Sequence, residues 1–70
     1  MQTIYSNDDI QDMITAVNDD QKLKEKVLGH FSGNDLHAMQ DVLNDGWYER
    51  FDRYDSDICE QFIKAYEAEA

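Results

Sequence analysis

The 70-residue sequence contains no proline, a single cysteine, three glycines, and only six lysines and arginines against sixteen aspartates and glutamates. Each scarcity excludes something. With no proline there is no built-in kink, so a helix can run uninterrupted from one cap to the other. With Cys59 as the only thiol, no disulfide can close within the chain; a reducing compartment, the cytoplasm by default, is expected. The glycines stand apart at 29, 33 and 46, so the chain has no phosphate loop, dinucleotide fingerprint or nucleophile elbow. No apolar stretch approaches the roughly 18 residues a membrane span requires, and the opening residues Met1 to Tyr5 lack the basic start and apolar run of a signal peptide.

The shortage of basic residues leaves a net charge of −10. Such a field repels nucleic acid and anionic membranes and attracts basic protein surfaces. No direct nucleic-acid or membrane contact is therefore expected.

What is present is enough to fold. Hydrophobic residues make up 41% and aromatics 11%, too many for a disordered acidic tail. A chain this short forms one domain, here spanning residues 1–70, and buries only about 60% of the surface its unfolded form exposes. At roughly 0.05 to 0.15 kcal/mol per residue it holds about 3 to 10 kcal/mol of stability, which favours a surface function over a buried catalytic cleft.

The apolar spacing is helical. Ile10, Met13, Ile14 and Val17 fall at i, i+3, i+4 and i+7, predicting a helix over about residues 7–17. Ser6 and Asp9 form a capping box, with Asp8 and Asp9 at the positive end of the dipole. Asn18, Asp19 or Asp20 caps a second helix carrying Leu23, Val27 and Leu28, which ends near Gly29, and Phe31 joins the same cluster. Ser32 or Asn34 caps a third, with Leu36, Met39, Val42 and Leu43 buried and Gly46 as its stop. Trp47, Phe51 and Tyr54 at i, i+4 and i+7 predict a short fourth helix, with Glu49 and Arg53 as an i, i+4 ion pair. Asp55 or Ser56 caps a last helix bearing Ile58, Phe62, Ile63 and Tyr66, with Glu60 and Lys64 as a further pair. The only candidate strand, Thr3 to Tyr5, is too short to build a sheet. The expectation is an all-α, compact bundle of four or five short helices.

Chemistry-bearing constellations are sparse. His30 and His37 have neither a third histidine nor a second cysteine near them, so both read as surface or boundary residues. Asp52, Asp55, Asp57 and Glu60 gather at the start of the last helix but lack the glycine and twelve-residue register of an EF-hand, and are better explained as a cap and first-turn carboxylates. Cys59, beside Ile58, Phe62 and Ile63, reads as an inert core thiol. No catalytic set, metal site or cofactor is expected. The segment from helix two to helix three has a helix-turn-helix layout, but its outward face shows His37, Asp41, Asn44 and Asp45 where lysine and arginine are needed. Lys22, Lys24 and Lys26 are offset by Asp19, Asp20 and Glu25. Trp47 and Phe51 are assigned to the core by their spacing; Tyr48 fits either core or interface.

Many acids fall at predicted helix starts and serve as caps. Asp41 and Asp45, in the last turns of helix three, and Glu67 and Glu69, in the last turn of the final helix, face the negative end of a dipole and read as costs. Asp8 with Asp12, and Asp41 with Asp45, are also like-charge i, i+4 pairs. Acids so placed lie about 5 to 6 Å apart at Cβ, on the scale of neighbouring phosphates. The expectation is an inhibitor that occupies the basic nucleic-acid-binding surface of a target by imitating its ligand's charge, through Asp8, Asp12, Asp41, Asp45, Asp52, Glu60, Glu67 and Tyr48. In size and charge alone the chain is similar to small phage-encoded anti-restriction and anti-CRISPR proteins. The alternative is a helical structural or regulatory adaptor, homodimeric or docking a partner helix through its aromatic patch.

Overall fold

Ser6 opens the first helix as its spacing anticipates. In the computed structural model, which describes residues 5–70, the Ser6 hydroxyl accepts from the Asp9 N–H at 3.2 Å and the Asp9 carboxylate accepts from the Ser6 N–H at 3.1 Å. The capping box satisfies donors that the helix itself leaves open. The helix that follows, α1, runs Asn7–Asp19, and α2 spans Gln21–Leu28, α3 Gly33–Asp45 and α4 Ser56–Glu69, with a 3-10 helix over Tyr48–Arg53 between α3 and α4. Among the described residues no strand forms; residues 3 and 4 of the candidate strand lie outside them.

Of the three candidate caps before α2, only Asp20 acts, accepting from the N–H groups of Lys22 and Leu23. Asn18 instead reaches across the bundle and donates to the Leu43 carbonyl at 2.9 Å, satisfying one of the carbonyls that α3 leaves open at its end. Ser32 and Asp55 occupy the N-cap positions of α3 and α4 without a side-chain cap bond. Gly46 ends α3 in the left-handed conformation, φ 82°, where a side chain would be strained.

The apolar faces of all five helices meet in one core. Ile14, Val17, Val27, Met39, Val42 and Phe62 are fully buried, with Ile10, Met13, Phe31, Leu43, Phe51 and Ile58 around them. α2 packs against α1, α3 and α4, and the 3-10 helix touches α1, α3 and α4. The Cα radius of gyration, 10.9 Å, matches the roughly 11 Å of a compact domain this size. Among the described residues no helix is long and apolar enough to cross a membrane.

The segment after Gly46 departs from expectation. Trp47 is not core but 62% exposed, and the helix after it is 3-10. At 3.0 residues per turn the aligned positions are i, i+3 and i+6. Tyr48, Phe51 and Tyr54 therefore turn inward together, and Trp47 is left outside the packed face. The same geometry separates Glu49 from Arg53, which form no ion pair; Glu60 and Lys64 form none either.

Candidate functional site

The sequence Tyr48-Glu49-Arg50, Phe51-Asp52-Arg53, Tyr54 is a triplet pattern that the 3-10 period turns into three faces. The aromatic face packs on the core, where the Phe51 and Phe62 rings lie 5.7 Å apart between centroids. The basic face turns to α3. Arg50 donates from Nε to Asp41 Oδ2 at 2.8 Å and from Nη2 to Oδ1 at 3.0 Å, a bidentate fork. The Tyr54 hydroxyl donates to the same carboxylate at 2.6 Å. The Arg50 guanidinium, followed by the Tyr54 hydroxyl, holds the Asp41 carboxyl down at about 2, and Arg53 lies close enough to contribute. The bond to Asp41 in turn raises the Tyr54 phenol above its ordinary value.

Asp41 is thus not a residual cost. It anchors the 3-10 helix to α3, and its charge is answered within the fold by Arg50. Asp45, one turn later, stays exposed and acts on Arg50 only through its field.

The acidic face, Glu49 and Asp52, looks the other way, onto an open groove of about 590 Å³ between the starts of α1 and α4. Ile10 and Phe51 form its floor, Tyr48 and Tyr54 its aromatic walls, and Cys59 lines it from α4. Cys59 is not sealed in the core as expected. It is half-buried, and desolvation first, then the charges of Glu60 and Asp52, push its thiol up.

Gln11 fixes the entry to this region. Its Nε2 donates to the Gly46 carbonyl at 2.7 Å, and its Oε1 accepts from the Tyr48 N–H at 3.0 Å. One amide therefore brackets Trp47, presenting the indole outward on a braced turn.

The remaining candidates are dispersed. Asp8 and Asp12 are exposed on α1 and Glu60 and Glu67 on α4; Glu67 sits beside Tyr5, whose phenol it raises. Only Tyr48 and Asp52 of the expected set share the groove. Glu49 was missed as a site residue because α-helical spacing pairs it with Arg53; the triplet pattern was the signal that places it beside Asp52. His30 and His37 are exposed, and His30 Nε2 lies 3.2 Å from Glu69.

Apart from Asp41 and Glu69, every acid of the chain is exposed. α1 carries Asp8, Asp9, Asp12 and Asp19 and α3 carries Asp35, Asp41 and Asp45, neither with any lysine or arginine. Among the described residues, Arg50 is the only lysine or arginine within 4 Å of a carboxylate, and no group of three or more potential metal ligands is found. Compared with protein-family models, curated proteins and solved structures, the chain matches none.

Proposed function

We propose that this protein is a non-catalytic acidic inhibitor that occupies the basic, nucleic-acid-binding surface of a target protein. The observation that carries this reading is the separation of charge on the fold. The carboxylates of α1, and Asp45 at the end of α3, face solvent with no lysine or arginine of the described residues within 4 Å, while Arg50 is held by Asp41. A rigid scaffold of unanswered carboxylates presents to a basic groove what a phosphate backbone presents.

The test is binding to a panel of purified DNA- and RNA-binding proteins at two salt concentrations, with nucleic acid as competitor. Affinity for a target is expected to fall steeply between about 50 and about 200 mM salt, as it does for phosphate-tracking ligands, and to be lost when DNA or RNA is added. Replacing Asp8, Asp12, Asp45 and Glu67 with Asn and Gln is expected to weaken it in proportion. Salt-insensitive binding that nucleic acid does not displace overturns the reading.

A second reading is favoured by Trp47, whose exposed indole is the type of residue that anchors protein interfaces. Under it the protein is an adaptor, joining a partner or a second copy through Trp47 and Tyr48. Trp47→Ala then abolishes association at every salt concentration while the helical signal is unchanged. Under the inhibitor reading the same substitution leaves the salt dependence in place.

A further inference from the structure

We infer that the aromatic groove between α1, the 3-10 helix and α4 is a seat for an arginine side chain of the partner. This deepens the inhibitor reading and rests on it. The groove is walled by Tyr48 and Tyr54 and rimmed by Glu49 and Asp52, and no lysine or arginine lines it. Of the arginines nearest in sequence, neither Arg50 nor Arg53 lines the groove, and Arg50 is held to α3 by two bonds to Asp41. The cation that these carboxylates favour must therefore come from another molecule.

The starts of α1 and α4, at Asn7 and Ser56, also open onto the groove, and a helix start by itself favours an anion. Each helix N-terminus carries at most about half a positive charge. Asp8 and Asp9 on α1 and Asp57 on α4 already offset it in the first turns, whereas Glu49 and Asp52 are two full negative charges at the rim. A cation prevails. Arginine fits better than lysine because its planar guanidinium stacks on a tyrosine face and meets carboxylates through a fork of N–H donors.

Cys59 makes the proposal testable, since the only thiol of the chain lines the groove and an occupant covers it. The experiment measures the rate of Cys59 alkylation by iodoacetamide at low salt, with and without octa-arginine or octa-lysine, alongside direct binding of each peptide. Octa-arginine is expected to slow alkylation about tenfold, the equivalent of holding the groove about nine-tenths occupied. The Glu49→Gln/Asp52→Asn pair is expected to remove this protection, and the Glu25→Gln/Asp35→Asn pair, which has the same net charge and lies outside the groove, to keep it. All four residues are exposed, so both variants retain the fold. If octa-arginine binds but Cys59 reacts at an unchanged rate, or the groove variant is protected as well as the parent, the groove is not the seat and the inhibitor reading survives. If octa-lysine protects equally, the assignment to arginine is overturned. If neither peptide binds at low salt, the inhibitor reading itself fails and this inference with it.

Discussion

Asp41 lies near the negative end of the α3 dipole, one turn before Asp45, and Arg50 and Tyr54 converge on its carboxylate. The fold lowers its pKa from 3.8 to about 2. A folded-state pKa below the unfolded value means that ionised Asp41 favours folding. Its contribution is complete above about pH 5 and disappears as pH falls through about 4 towards 2. Protonating the exposed acids works in the opposite direction, relieving repulsion on a chain of net charge −10. The contribution of Asp41 is therefore isolated by comparison. Asp41→Asn is expected to be less stable than the parent at pH 7, with the gap closing between about pH 4 and pH 2, measured by urea unfolding across that range. A gap that stays constant with pH would show that the Arg50 contact does not depend on the charge of Asp41.

At the scale of the element, the turn from Gly46 to Tyr48 is held by conformation and by a single side chain. Gly46 sits at φ 82°, and a Cβ built there meets no atom within 4 Å, so Gly46→Ala incurs only the backbone strain of a left-handed residue. The expected loss is about 1 to 2 kcal/mol, read from the shift in denaturant midpoint. Gln11→Ala removes both bonds that brace the turn. It is expected to destabilise by about 1 to 2 kcal/mol and, more diagnostically, to speed hydrogen exchange at the Tyr48 N–H while exchange in α2 is unchanged. Equal acceleration in both places would mean that the amide supports the whole bundle and not the turn.

At the scale of the whole molecule, charge opposes the fold that carries it. The helices close a core of Ile14, Val17, Val27, Met39, Val42 and Phe62, while nearly all the acids repel one another across the surface. Salt screens that repulsion over distances of about 20 Å at low ionic strength and about 6 Å at 0.3 M. The melting temperature is accordingly expected to rise with sodium chloride across that range, followed by circular dichroism. A fall would mean that ion pairs such as Arg50 with Asp41 outweigh the net field. Association with a basic target has the opposite salt dependence, so the two effects separate in one set of buffers.

The amino-acid sequence alone carries the four α-helices, two of their side-chain caps and most of the core, because these follow from local spacing: the i, i+3, i+4, i+7 rows of α1 and α3, the Ser6 and Asp9 box, and the stop at Gly46. It also determined the surplus of negative charge, which is a matter of counting. Which acids remain unanswered and where the aromatics face is settled by contacts between distant parts of the chain. The 3-10 winding after Gly46 took Trp47 out of the core, sent Arg50 to Asp41 and left Glu49 beside Asp52 on the groove. Its pitch is set by the fit of Tyr48, Phe51 and Tyr54 against α1, α3 and α4, and those contacts join residues far apart in the chain, beyond the reach of any local pattern.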